Sequence, residues 1–255
     1  MIPNINFKII GQGQPIIILH GLFGMLDNWL NIAKKLESSG FMPILIDQRD
    51  HGRSDRTDDF NYRLLANDLA VFMEENWVHD AILLGHSMGG KTVLQYMADH
   101  DSGISKSIIV DIGLKKYKGG HQEVFDALFA VDLENAISRM DVENVLSGYL
   151  KELGTVQFLM KNLTRKRSGG FEWKMNLDLL FKNYQHILDG IHFDHPIETP
   201  TLFIRGDQSD YILDEDWPEI LENIPNAKLM SIKNAGHWVH ADQPDELFKL
   251  IIDYI

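Results

Sequence analysis

Five residues, Gly85-His86-Ser87-Met88-Gly89, constrain this chain more than any others. They follow an apolar run, Ala81-Ile82-Leu83-Leu84, and lead into a helical-looking stretch from Lys91 to His100. A strand that turns this abruptly into a helix forces the central serine into a strained backbone conformation, with Oγ exposed at the strand's end. Side chains two positions before and after that serine would strike the crossing strand and helix, and both positions here are glycine. The pattern is Gly-x-Ser-x-Gly, the nucleophile elbow.

The same letters admit a rival. Gly85, Gly90, Lys91 and Thr92 satisfy Gly-x4-Gly-Lys-Thr, a loop that cradles phosphate at a helix N-terminus. Ser105-Lys106-Ser107-Ile108-Ile109-Val110-Asp111 fits the strand whose terminal aspartate holds magnesium in such proteins. The residues around Ser87 do not choose between a nucleophile and a nucleotide site, so the rest of the chain must.

Ile16-Ile17-Ile18-Leu19 and Pro43-Ile44-Leu45-Ile46 read as buried parallel strands. Trp29, Ile32, Ala33 and Leu36 recur at helical spacing before Gly40, and Leu65, Leu69, Phe72 and Met73 mark a second helix. Strand, helix, strand, helix predicts a mostly parallel central sheet covered on both faces, with ligands at the carboxyl ends of the strands. His20, Asp47, Ser87 and Asp111 all stand at such ends.

The pattern changes from Gly113 to His195, where no stretch reads as a buried strand and apolar residues recur at helical spacing. Strand-like runs resume at Thr201 to Ile204 and Leu229 to Ile232, and Pro244 to Ile255 reads as a closing helix. The expected organisation is a core of residues 1–112 and 196–255 with residues 113–195 inserted as a helical cap over the strand ends. Caps exclude water and shape a substrate pocket. The basic cluster Arg165-Lys166-Arg167 lies in this insertion and reads as a solvated loop face rather than an anion contact.

Composition narrows the partners. A formal charge of −13 disfavours duplex nucleic acid and anionic membrane surfaces. The absence of cysteine rules out disulfides, thiolate metal sites and a cysteine nucleophile. The N-terminal residues lack a basic segment followed by a long apolar one, and no apolar run approaches a membrane span. The expectation is a cytoplasmic protein.

A serine hydroxyl needs a base to become a nucleophile, and a histidine oriented by a carboxylate is the usual one. His237, in Ala235-Gly236-His237-Trp238, follows the last strand and can reach the same sheet edge as Ser87. His240 is the nearest rival, but a helix beginning there would point it elsewhere.

Together, His20-Gly21, Asp47-x-Arg49-x-His51-Gly52-x-Ser54, Gly85-His86-Ser87-Met88-Gly89-Gly90 and Gly236-His237 resemble the α/β-hydrolase superfamily, in order and over nearly the whole chain outside the insertion. More narrowly, Leu19 to Gly24, Asp27-Asn28-Trp29, Gly89-Gly90-Lys91 and Ala235 to Asp242 resemble the YbfF-type bacterial esterases and their mitochondrial abhydrolase relatives. The resemblance implies the α/β-hydrolase fold and hydrolysis of esters or thioesters, with acyl chains as the usual substrates. It also sets the phosphate-loop reading aside, since Gly90-Lys91-Thr92 belongs to the esterase pattern.

Most of the superfamily places the acid in the loop after the strand that follows the cap. Here that loop reads Gly206-Asp207-Gln208-Ser209-Asp210, and the expected position holds Ser209. Asp111, ending the strand beside the nucleophile strand, is the favoured acid, with Asp210 and Asp207 as alternatives. For the oxyanion hole the pattern implies the backbone N–H of Met88 and one from the His20 to Phe23 loop, Leu22 first and Phe23 second. The expected reaction is hydrolysis of a small-molecule ester or thioester, acyl-CoA included, through a Ser87-His237-Asp111 triad and an acyl-enzyme, with no metal or organic cofactor. The same triad serves acyltransferases, amidases and carbon–carbon bond hydrolases, and a low-turnover binding protein could retain the fold.

Overall fold

The computed structural model describes residues 2–100 and 103–255. Met1, Asp101 and Ser102, which fall within the expected core segment, lie outside the described residues.

Four apolar runs found by sequence become the middle of a seven-stranded sheet. The strands are β1 (Phe7–Ile9), β2 (Gln14–Leu19), β3 (Phe41–Ile46), β4 (Ala81–His86), β5 (Ile104–Val110), β8 (Thr201–Gly206) and β9 (Ala227–Ile232), in spatial order β1-β3-β2-β4-β5-β8-β9. β6 (Leu163–Arg165) and β7 (Phe171–Trp173) pair separately. In the seven-stranded sheet β1 runs antiparallel to β3 and the other neighbours are parallel, and β6 and β7 are antiparallel to each other. β4 sits at the centre between β2 and β5, so Ser87 emerges from the middle of the sheet's carboxyl edge.

Period-two alternation sorts the side chains into two cores. Ile17, Leu19, Leu83 and Ile109 face one layer, which includes α2 (Tyr62–Glu75) and α3 (Met88–Asp99). Ile16, Ile18, Leu84 and Ile108 face the other, packed against α1 (Leu30–Ser38) and α11 (Pro244–Tyr254). Burial on both faces explains why these strands read as unbroken apolar runs.

Between β5 and β8 lie α4 (Gln122–Phe129), α5 (Arg139–Tyr149), α6 (Leu153–Met160), α7 (Leu177–Lys182) and α8 (Tyr184–Ile187). They extend the first core through Phe125, Leu146, Leu159 and Leu180. The β6–β7 hairpin corrects the reading of this stretch as free of strands: Leu163, Phe171 and Trp173 are buried. Three-residue strands are too short to display a period, and the Arg165-Lys166-Arg167 cluster masks their turn. The remaining elements are α9 (Trp217–Asn223), α10 (Val239–Asp242) and two short 3-10 helices, Leu26–Trp29 and Asp214–Asp216.

Loops at the carboxyl edge are tied from below. Asp47 Oδ1 accepts the N–H of Leu26 at 2.7 Å, and its Oδ2 accepts the Arg53 N–H at 2.9 Å and Asn6 Nδ2 at 2.7 Å. The buried Arg49 guanidinium forks onto Asp68 at 2.6 and 2.7 Å.

Candidate active site

Ser87 adopts φ 52° and ψ −118°, a region that only a tightly determined turn holds a non-glycine residue in. The surroundings explain why its neighbours are glycines. A Cβ on Gly85 would lie 2.2 Å from Gly89 O, and one on Gly89 would lie 2.3 Å from Leu19 O. Neither gap admits a carbon atom.

His237 Nε2 lies 2.9 Å from Ser87 Oγ, and its Nδ1 lies 2.8 Å from Asp111 Oδ2. Asp111 is fully buried, with φ 52°, and accepts two further bonds: Gly206 N–H to Oδ1 at 3.0 Å and Ser209 Oγ–H to Oδ2 at 2.5 Å. The Asp207 and Asp210 side chains are exposed and make no hydrogen bond to His237 among the described residues. Ser209, standing where the acid is expected, thus donates to the carboxylate of Asp111.

The imidazole of His237 is held on other sides as well. The ring of Tyr211 stacks on it at 3.8 Å between centroids and 15° between planes. The Tyr117 hydroxyl donates to Tyr211 O at 2.7 Å. Behind it, His86 Nε2–H donates to the His237 carbonyl at 2.8 Å. Burial, with His240 and His237 nearby, holds His86 well below the usual histidine range, so its ring stays neutral. His240 points away, stacking on Trp29 at 4.7 Å. Tyr211 and His86 have no individual sequence signal, because their contacts join segments far apart in the chain.

Two candidate oxyanion donors carry free N–H groups. Neither Met88 N, in the first turn of α3, nor Leu22 N has a hydrogen-bond partner among the described residues. Phe23 N, by contrast, donates to His51 Nε2 at 3.3 Å, and Phe23 itself sits at φ 59°. Gly21 brings this loop against the elbow: a Cβ there would lie 3.3 Å from Ser87 Cβ. His20 anchors the loop from beneath, with Nδ1–H donating to Gly21 O at 2.8 Å and Nε2 accepting Gln48 N–H at 3.0 Å.

Ser87 opens on two spaces. A cavity of about 50 Å³ is lined by Phe23, Val124, Phe158, Leu159 and Trp238. A cleft of about 620 Å³ is bordered by Tyr62, Lys115, Tyr117, Leu188, Tyr211 and Leu213. Among the described residues no group of three histidine or acidic side chains is arranged to hold a metal ion, and no helix is long and apolar enough to cross a membrane. Lys91 has no opening to a phosphate. It is 1% exposed and its ammonium is covered by backbone carbonyls.

Comparison with known proteins agrees with this architecture. A solved structure described as a marine microorganism esterase superposes with a TM-score of 0.97, at 40% identity over 99% of this chain and 100% of that one. Esterase YbfF of Escherichia coli (strain K12) is 35% identical over 248 residues, covering 96% of this chain and 94% of its own length. The sn-1-specific diacylglycerol lipase ABHD11 of Xenopus laevis is 32% identical over 253 residues, covering 95% and 80% respectively. The family described as alpha/beta hydrolase fold matches residues 14–244. The elbow, the parallel sheet and these matches carry one conclusion: the chain belongs to the α/β-hydrolase family.

Proposed function

We propose that this protein hydrolyses carboxylic esters or acyl thioesters through a Ser87-His237-Asp111 triad and an acyl-enzyme intermediate. The observation that carries the reading is the position of His237, within hydrogen-bond reach of Ser87 Oγ on one side and Asp111 on the other. The names of the relatives, esterase and lipase, support the reaction class.

His237 takes the proton of Ser87 as Oγ attacks the carbonyl carbon. Asp111, charged and tied by Ser209 and Gly206, keeps Nδ1 protonated and steadies the imidazolium. Negative charge then develops on the carbonyl oxygen, and the unspent N–H groups of Met88 and Leu22 receive it. One such donor is worth roughly 3 kcal/mol of barrier. His237 passes its proton to the departing alkoxide or thiolate, leaving the acyl group on Ser87. Water, deprotonated by His237, attacks the acyl-enzyme; the bond to Ser87 Oγ breaks, His237 returns the proton to that oxygen, and the acid is released.

Residues 113–195 act in this reading as a cap. Its apolar side chains from α4 and α6, with Phe23 and Trp238, receive the acyl chain, and the wider cleft receives the alcohol or thiol portion. The test is a panel of p-nitrophenyl esters and acyl thioesters of graded chain length, with fluorophosphonate labelling of Ser87. Ser87→Ala should abolish labelling and lower kcat/KM by about 10³-fold or more. Turnover that survives in Ser87→Ala overturns the proposal, and the ratio of ester to thioester rates assigns the leaving group.

A further inference from the structure

Lys91 is a lysine where a lysine is costly. It lies in the first turns of α3, whose positive dipole end repels a cation, and it is 1% exposed in the core. A buried ammonium persists only where its three N–H donors are met. Here they are: Nζ donates to Leu114 O at 2.9 Å, Lys115 O at 2.7 Å and Asp189 O at 3.0 Å, and it lies 5.2 Å from the centre of the Tyr117 ring.

Those three carbonyls come from the two places where the chain crosses between the core and the 113–195 insertion. The crossings are joined to each other as well. Tyr117 N–H donates to Leu188 O and Ile191 N–H to Leu114 O, both at 2.9 Å. The approach is close enough that a Cβ on Gly190 would lie 3.2 Å from both Leu114 O and Lys116 N. From this neck the Tyr117 hydroxyl reaches Tyr211 O, and the Tyr211 ring stacks on His237. Lys115, Tyr117 and Leu188 also form one wall of the cleft in front of Ser87.

We propose that Lys91 is a positioning residue whose ammonium latches the outgoing and returning segments of the neck to α3, fixing the cleft wall and the Tyr211 ring against His237. The latch rests on the hydrolase reading above for its consequence in catalysis, but not for its structural effect. A neutral apolar residue of equal length would fill the same space and leave the carbonyls of Lys115 and Asp189 without this donor.

The test uses the absence of cysteine from the chain. Lys91→Cys introduces a single thiol, which 2-bromoethylamine alkylates in the unfolded protein to restore an ammonium at nearly lysine length. Wild type, Lys91→Met, unmodified Lys91→Cys and the refolded aminoethylated protein are then compared. Burial lowers the Lys91 ammonium to about 7, so the comparison is run near pH 6, where this group is protonated. In Lys91→Met and unmodified Lys91→Cys, amide exchange at Tyr117 and Ile191 should accelerate by roughly tenfold or more, while β4 and β5 keep their protection. KM for esters with a bulky alcohol portion should rise by a larger factor than kcat falls. Aminoethylation should reverse both effects.

Three results overturn the latch: neck exchange unchanged in both variants, neck exchange not restored by the regained ammonium, or equal loss of protection in the central strands, which would make Lys91 a core residue. Wild-type protein without ester or thioester turnover would defeat the hydrolase reading and leave the exchange result standing.

Discussion

Asp111 accepts hydrogen bonds from three directions, and only one of them comes from His237, the histidine it would orient in the proposed triad. That makes Asp111→Asn a sharp test. The amide keeps the shape but presents an NH₂ group where a charged oxygen stood, favouring the wrong imidazole tautomer and withdrawing the charge that steadies the imidazolium. Turnover should fall by about 10⁴-fold in kcat, read on a p-nitrophenyl ester. Asp207→Asn and Asp210→Asn, at exposed positions, should stay within about twofold of wild type. A near-normal rate in Asp111→Asn would remove it from the triad. At this scale the sequence was informative wherever chemistry is local. Ser87 is marked by the glycines around it, and His237 by its place after the last strand. The acid stayed open between three aspartates because the position usual for it holds Ser209, and which carboxylate reaches His237 depends on how two strand ends meet. For the loop donor the family pattern ranks Leu22 ahead of Phe23, and the structure supplies a physical difference between them: the Phe23 N–H is engaged by His51.

Elements were legible in proportion to their length and burial. β2, β3, β4 and the inner part of β5 are apolar on both faces, and no competing periodicity obscures them. β1 and the β6–β7 hairpin have three-residue strands, and β1 is exposed along its length, so neither leaves a pattern. The insertion could be read as helical, but not how α6 packs. In the structure α6 turns Phe158 toward Trp238, with ring centroids 5.1 Å apart, and both line the small cavity beside Ser87. The cavity, at about 50 Å³, is tight for a long acyl chain. Phe158→Ala removes a ring from that wall without touching the triad. It should raise the kcat/KM for an octanoyl ester relative to a butyryl ester by roughly tenfold, the order expected when a few methylenes gain apolar contact. An unchanged or reduced ratio would show that the acyl chain lies elsewhere, with the larger cleft as the first place to look.

For the molecule as a whole, the buried histidines behind the candidate site make stability depend on pH. His20 and His51 each donate through Nδ1 to a backbone carbonyl and accept a backbone N–H at Nε2. A proton added to Nε2 would face another proton. Burial accordingly lowers His20 to about 4 and His51 to about 3, and holds His86 well below its usual range. All three are buried. The sign follows from the folded values lying beneath the unfolded value of about 6.5: between about pH 4 and 6.5 the unfolded chain binds protons that the native protein refuses. Stability is therefore retained above about pH 6.5 and is lost as the pH falls toward 4, by up to about 1.4 kcal/mol per pH unit for each such histidine. Urea unfolding at about pH 7, 6 and 5 should show the midpoint falling progressively. Nitrogen NMR of the folded protein near pH 5 should find all three rings still neutral, protonated at Nδ1 in His20 and His51 and at Nε2 in His86. An imidazolium signal from any of them in the native state at that pH would mean the carboxyl-edge loops can open to admit the charge, and the rigid support these rings give to Gly21, Phe23 and the His237 carbonyl would have to be replaced by a mobile one.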